Sequence, residues 1–483
     1  MSARLYIAAT HKSSGKTTVS LGLCAALAAR GIAVQPFKKG PDYIDPIWLG
    51  QAAGRDCYTL DFYSMAPESI QDVFLQHDPG THGLRLIEGN KGLFDGMTTT
   101  GGDDNAALAK ALDTPVVLVL DCNGMTRGIA PLLQGYVGFD PELHWGGVIL
   151  NRVGGSRHGA KLRAAVETYT DLKVLGEVGR DLRLQIEERH LGLIPANEAS
   201  VAEKQIAYIR DRIAAEVDLD ALMQAAQHAP PLQTQALVND SQPIPETTAV
   251  RSEVEHSPLR LAIARDAAFG FYYPADLEAF TQRGVELCYF SPLYDAALPA
   301  CDALFLGGGF PETHMLALEA NQAMRDSIHH ALAQGLPAYA ECGGLMYLSR
   351  SIYWGSEQAN MVGFVPGDTV MQPRPQGRGY IRLQRNAAHP WPAQSDTPTT
   401  IPGHEFHYSH LENLPSGLTY AWNVERGQGI DGAHDGLVLN NLVAGYAHLR
   451  QDVRNPWIDE FLAFVRHSRS TTHDATASTR TTT

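Results

Sequence analysis

The run Thr10-His11-Lys12-Ser13-Ser14-Gly15-Lys16-Thr17-Thr18 has residue types and spacing suited to gripping a polyphosphate. A Gly-Lys-Thr at a strand-to-helix junction turns backbone N–H groups and a helix N-terminus toward the phosphates. It adds the Lys16 charge and offers the Thr17 hydroxyl to Mg2+. Thr10 stands where glycine usually opens such a loop, and Lys12 supplies a second lysine four residues before Lys16. Lys12, Gly15, Lys16, Thr17 and Thr18 are therefore the expected ATP contacts, with Mg2+ as cofactor and ATP as co-substrate.

Carboxylates that could steady the metal follow at the ends of apolar runs. Lys38-Lys39-Gly40-Pro41-Asp42-Tyr43-Ile44-Asp45-Pro46 closes one run, and Glu88-Gly89-Asn90-Lys91-Gly92-Leu93-Phe94-Asp95-Gly96 closes another. Glu88 is the first metal candidate, because a carboxylate at a strand end beside a phosphate loop commonly serves Mg2+. Asp121, closing Pro115–Leu120, competes for that role. Asn151, after Gly147–Leu150, carries an amide that can read a purine edge or simply form a turn.

A different chemistry is written in Ala340-Glu341-Cys342-Gly343-Gly344. A nucleophile between a strand and a helix, with glycines directly after it, has the pattern of a nucleophile elbow, a strained turn that exposes the side chain. A helix N-terminus favours the thiolate form of such a residue. The N–H of Gly343, with one from Gly308 or Gly309, could hold an oxyanion. Cys342 is thus the expected nucleophile, and its base is to be sought among His404, His407, His410, His434 and His448. Gly403-His404-Glu405-Phe406-His407 is H-E-x-H rather than H-E-x-x-H, and residues three apart on a strand face opposite ways, so zinc is not expected.

Parallel strands alternating with helices must position both centres. Apolar runs at Leu5–Ala9, Ala33–Phe37, Leu84–Ile87, Pro115–Leu120 and Gly147–Leu150 predict βαβ units around a mainly parallel sheet, whose strand C-ends line a ligand crevice. A second α/β pattern begins at Leu259–Ala264 and continues through Val285–Phe290, Ala303–Leu306 and Pro337–Ala340. At about 150 residues per domain the 483-residue chain should form two or three. The reading gives two doubly wound domains, with an ATP-dependent synthetase domain at 1–226, a Pro- and Gln-rich linker at 227–257, a thiol-bearing domain at 258–466, and a disordered Ser/Thr tail at 467–483.

The totals narrow the partners. Lys plus Arg number 38 against 53 Asp plus Glu, and the formal charge of -15 argues against general nucleic-acid binding. No run approaches the roughly 18 apolar residues of a membrane span, and Met1-Ser2-Ala3-Arg4 leads straight into a strand, so a cytoplasmic location is expected. The six cysteines form no C-x-x-C pair. Small-molecule substrates are expected, with no nucleic acid or membrane partner and a homodimer as the possible assembly.

The motifs together resemble the cobyrinic acid a,c-diamide synthase family over nearly the whole chain. They are Gly15-Lys16-Thr17-Thr18, Lys39–Pro46, Glu88-Gly89 with Gly92–Gly96, Arg189-His190-Leu191-Gly192-Leu193, Gly307-Gly308-Gly309-Phe310-Pro311-Glu312, Ala340–Gly344 and Gly403–Ser409. Lys12 also resembles the second lysine of the deviant phosphate loops in a subset of ATPases. The family resemblance implies a dethiobiotin-synthetase-like ATP domain joined to a class I glutaminase domain. ATP would phosphorylate the a and c acetates of cobyrinate, hydrogenobyrinate or a related tetrapyrrole, and ammonia from glutamine would replace the phosphate.

By motif, Asp42, Asp45 and Glu88 match acidic residues associated with Mg-ATP and carboxylate phosphorylation. Tyr43, Asn90 and Lys91 fall near the substrate carboxylate, Cys342 matches the thiol, and His448 matches its base. The pair after Glu-Gly is often apolar in the family, so Asn90-Lys91 keeps sirohaem and nickel sirohydrochlorin open as substrates. His448-Leu449-Arg450 lacks the acid that usually follows the histidine by two residues. The alternative from another class is a non-amidating regulatory ATPase.

Overall fold

Strands such as Leu5–Ala9 and Val116–Leu120 have no polar face, a pattern that only a sheet covered on both sides can bury. The computed structural model describes residues 3–186, 188–189, 192–193, 202–232, 258–393 and 399–480, and in it these runs form such sheets in two compact units. The first holds β1 Ala3–Ala9, β2 Val34–Lys39, β3 Tyr58–Leu60, β4 Leu84–Glu88, β5 Val116–Asp121, β6 Trp145–Val153 and β7 Val174–Gly179. Their order is β3-β2-β4-β1-β5-β6-β7, and every pairing is parallel.

The chain winds to both sides of β1, so the loop after β1 opens at the switch in strand order, where ligands of open α/β sheets sit. The C-ends of β4 and β2 stand beside it, which places Glu88 and Lys38 next to the phosphate loop. Behind the loop runs α1, Lys16–Ala29, whose Val19, Leu23 and Leu27 are fully buried. After β2 comes α2, Ile44–Ala53. The Asp42 Oδ1 accepts from Ile44 N at 3.0 Å and Asp45 N at 3.3 Å at the start of this helix, and Asp45 lies in its first turn.

In the second unit a nine-stranded sheet has two halves. Glu286–Phe290, Arg260–Ala264, Ala303–Leu306, Ala338–Glu341 and Leu442–Gly445 lie side by side and parallel. His434–Leu439, Thr419–Arg426, Gly377–Arg385 and Thr400–His407 extend it as antiparallel strands. One apolar cluster, with Phe269, Leu304 and Leu345, packs one face, and another, with Phe280, Trp457 and Phe461, packs the other.

The units differ from the expected boundaries at three points, one of them the strand pair Glu188–Arg189 and Gly192–Leu193, which falls in the second unit. Asp61–Val73 groups with the second unit, where Tyr380 O–H donates to Asp61 Oδ1 at 2.6 Å and Tyr63 stacks on Tyr380 with ring centroids 4.3 Å apart. The helix Trp457–Arg480 runs into the tail for which composition predicts disorder. Its N-terminal turns carry the buried Trp457, Ile458, Phe461, Leu462 and Val465, which dock it on the sheet. Residues 233–257 of the expected linker lie outside the described residues, as do His190 and Leu191, although Glu188–Arg189 pairs antiparallel with Gly192–Leu193. Among the described residues no helix is long and apolar enough to cross a membrane.

Candidate functional site

The phosphate loop turns through left-handed backbone at Ser13, φ 68°, and Gly15, φ 87°, directly before the first turn of α1. Such turns aim N–H groups into one concavity. Lys16 is buried there, and burial together with the nearby Lys38 charge holds its pKa below the ordinary lysine range. Lys12 is exposed, and the Thr18 hydroxyl donates to Leu184 O at 3.4 Å.

The Thr17 hydroxyl donates to Glu88 Oε1 at 2.7 Å and stands 3.4 Å from Asp45 Oδ2. Between these carboxylates lies Lys38, which the sequence pattern reads only as one of two lysines in a strand-end segment facing the nucleotide. Its Nζ bonds to Asp45 and, at 2.9 Å, to Glu88 Oε1, and lies 3.8 Å from Asp42. Burial disfavours the Lys38 charge, yet Asp45 and Glu88 hold its pKa well above the ordinary value. Asp45 is half-buried, and Lys38 keeps its pKa low against the desolvation that would raise it, while desolvation and the Asp45 charge push Asp42 up. The signal that would single out Lys38 is its position near the end of a strand neighbouring β4, which becomes visible only once the strand order is known.

Among the described residues no three His, Cys, Asp or Glu side chains are arranged to hold a metal unaided. Mg2+ takes most of its ligands from water and phosphate, with only one or two carboxylates from protein. The Thr17 hydroxyl with Asp45 and Glu88 fits that requirement, and Glu88 Oε2 is buried with no hydrogen-bond partner. The competing Asp121 is otherwise engaged, pairing with Arg152 Nη1 at 2.5 Å and accepting from Asn123 N at 3.0 Å.

Asn151 spends its amide on the loop. Its Nδ2 donates to Ser14 O at 2.8 Å and its Oδ1 accepts from Arg152 N at 2.9 Å. In this arrangement the side chain holds the phosphate loop. Tyr43 is buried; Asn90 leaves its Oδ1 buried without a partner, and Lys91 is exposed in left-handed backbone at φ 41°.

The second centre is built where the strands Ala338–Glu341 and Leu442–Gly445 run parallel with Glu341 beside Gly445. Cys342 follows in left-handed backbone, φ 47° and ψ −102°, and caps the short helix Gly343–Leu348. A non-glycine residue held there is the strain expected of a nucleophile elbow. Cys342 N donates to Gly445 O at 2.8 Å, which ties the elbow to the strand carrying His448 three residues on. That histidine is buried, with its ring in hydrogen-bonding reach of Cys342 and its Nδ1 3.2 Å from Glu341 Oε2.

The glycine candidates cluster at the same place. A side-chain carbon on Gly343 would lie 2.9 Å from Gly309 N, and one on Gly308 would lie 2.7 Å from His448 Cε1. Of the other histidines, His404 stacks on His448, His407 on Tyr446, His410 bonds to Glu412 and His434 to Asp431.

Known proteins match this arrangement along the chain. Residues 5–194 match the CobQ/CobB/MinD/ParA nucleotide binding domain, and residues 260–456 match the CobB/CobQ-like glutamine amidotransferase domain. A cobyrinate a,c-diamide synthase of Magnetococcus marinus is 43% identical over 467 residues, covering 97% of this chain and 98% of its own. One of Methanosarcina barkeri is 38% identical and covers 92% of each chain. A solved structure of a glutamine amidotransferase covers 42% of this chain and 98% of its own at 16% identity, with a TM-score of 0.32, a partial likeness that adds nothing to these matches. The chain is a glutamine-dependent, amide-forming ligase with an ATP-using domain, which sets aside the non-amidating ATPase, and it belongs to the cobyrinate a,c-diamide synthase family.

Proposed function

We propose that this chain amidates the a and c acetate carboxylates of cobyrinate or hydrogenobyrinate, each through an acyl phosphate. A carboxylate is a poor acyl donor until phosphate becomes its leaving group. Its oxygen attacks the γ-phosphorus of ATP and ADP departs. Ammonia then adds to the acyl carbon and phosphate leaves, giving the amide.

Lys16 and the N–H groups of the loop hold the polyphosphate, with Gly15, Thr18 and Asn151 shaping the loop and Lys12 at its outer edge. Thr17, Asp45 and Glu88 would hold Mg2+, which would neutralise charge on the transferring phosphoryl group. Asp42, Tyr43, Asn90 and Lys91 line the approach of the acetate.

In the glutaminase unit Cys342 Sγ attacks the side-chain amide of glutamine, and N–H groups at Gly343 and at Gly308 or Gly309 receive the oxyanion. His448 passes a proton to the departing ammonia, and water releases glutamate from the thioester. The observation that carries the reading is the presence in one polypeptide of the Thr17–Asp45–Glu88 cluster and the Cys342–His448 pair, in a chain whose relatives match end to end.

The test incubates the protein with ATP, Mg2+, glutamine and one macrocycle at a time, and weighs the products for the small mass loss of acid-to-amide conversion. Two successive losses on cobyrinate or hydrogenobyrinate are expected. Amidation of only sirohaem or nickel sirohydrochlorin would move the substrate to those rings, a reading that the polar Asn90-Lys91 pair favours. No product from any of them would overturn the proposal.

A further inference from the structure

The imidazole of a thiol-dependent amidotransferase must present one nitrogen to sulfur while something fixes the other, because a ring free to turn or to change tautomer loses the reaction. After His448 the chain continues Leu449-Arg450, so no acid follows where this chemistry usually finds one. We infer that Glu341, the residue immediately before the nucleophile, is the positioning carboxylate for His448. This rests on the roles proposed above for Cys342 and His448.

Glu341 is anchored so that one oxygen is committed and the other aimed. Its Oε1 accepts from Leu449 N at 2.9 Å and from Tyr339 O–H at 2.8 Å. Its Oε2 stands 3.2 Å from His448 Nδ1. The residue is 2% exposed, so water does not compete for the contact. With Nδ1–H given to Glu341, Nε2 is the nitrogen left for Cys342.

Strand register produces this meeting. Glu341 lies beside Gly445 in the parallel pair, and the chain beyond Gly445 bends back over the carboxylate. One face of the ring is covered by His404, stacked with centroids 4.7 Å apart and planes inclined by 17°. Tyr273 O–H lies 3.2 Å from His404 Nδ1, and the Arg450 guanidinium lies over the Tyr273 ring. The groups facing His448 are therefore Cys342 and Glu341 from the elbow, His404 from the antiparallel half, and Tyr273 and Arg450 behind His404. Glu341 is the acid among them that touches the ring. It stabilises the imidazolium as charge develops, without itself taking the proton.

The experiment compares Glu341→Gln, Cys342→Ala and His448→Ala by glutamate release, each also as a double variant with Glu341→Gln. Glu341→Gln is expected to lower kcat for glutamine by up to roughly 10⁴-fold with little change in KM, as the isosteric amide in place of an orienting carboxylate does in another triad. Its basic pH limb should shift downward. In the His448→Ala background the same change should cost nothing more, because residues acting as a unit are not additive.

Wild-type kcat in Glu341→Gln, or an equal loss with and without His448, would overturn the inference. If Cys342→Ala still releases glutamate, the glutaminase assignment fails instead. Should Glu341→Gln not accumulate, the 15N shifts of His448 in the unaltered protein, followed as rising pH neutralises the ring, decide: a proton that stays on Nδ1 supports Glu341, and the Nε2–H tautomer excludes it.

Discussion

Gly308 leaves no room for a side chain beside His448: a methyl group at position 308 would stand 2.7 Å from the imidazole Cε1, closer than carbon atoms approach without displacement. The ring cannot retreat, since Glu341 holds its edge and His404 its face. Gly308→Ala should therefore tilt the imidazole away from Cys342 and lower glutamine-driven amidation by about 10²-fold, the cost of an ångström-scale misplacement. Parallel assays with glutamine and with ammonium salt check this, the ammonium reaction reporting on the ATP unit. Full glutamine turnover in the variant would show that the ring has slack.

Burial disfavours the charged form of His448, but its contacts with Cys342 and Glu341 outweigh burial and raise its pKa to about 10. An imidazolium therefore persists at neutral pH and is ready to protonate departing ammonia. Glutamate release should hold a plateau through neutral pH and decline as pH passes about 10. The same shift sets a stability trend. The folded pKa exceeds the unfolded value of about 6.5, so the contribution to stability is full below that value and is lost as pH rises through about 10. Initial rates across overlapping buffers test the first point; a basic limb near neutrality would refute it.

Local pattern announces the elbow because Cys342 and its glycines are contiguous, and it announces the phosphate loop for the same reason. The partners of each are not contiguous. His448 is one of five candidate histidines until the pairing of Glu341 with Gly445 brings its strand to the elbow. Lys38 reads as one of two lysines facing the nucleotide from a strand end, and its pairing with Glu88 stays hidden, since nothing in the sequence says that β2 and β4 are neighbours. Asn151 carries two local readings, and a contact with Ser14 across the fold decides its orientation. The antiparallel strands after Gly377 are also illegible as an extension of the sheet, because alternating segments do not disclose which edge they join.

The tie between Asn151 and the phosphate loop can be cut separately. Asn151 Nδ2 donates to Ser14 O at 2.8 Å, and a side-chain carbon on Gly15 would collide with that same nitrogen, so loop and amide are fitted to each other. Asn151→Ala removes one buried hydrogen bond worth about 1 kcal/mol and should raise KM for ATP by roughly fivefold to tenfold. Asn151→Asp sets a carboxylate against a carbonyl near the phosphates and should be worse. Neither should alter glutamine hydrolysis measured without ATP. Identical ATP saturation curves for the alanine variant and wild type would reject this role.

Glu88 joins the Thr17 hydroxyl, 2.7 Å away, to the Lys38 ammonium, 2.9 Å away, through a single oxygen. Its second oxygen is buried and without a hydrogen-bond partner, the disposition expected of a ligand awaiting a hard cation. Glu88→Gln keeps the shape and removes the charge. It should raise the Mg2+ concentration for half-maximal amidation by roughly 10- to 100-fold, the range found when support around a metal is lost. Glu88→Ala should also destabilise the fold, because Lys38 would lose part of the charge that permits its burial. Chelating divalent cations in the wild type should stop amidation with either glutamine or ammonium while leaving glutamate release intact. Mg2+ titrations of ADP formation, with glutamate release followed in the same samples, separate these outcomes. An unchanged Mg2+ midpoint in Glu88→Gln would move the metal role to Asp45 with Thr17 alone.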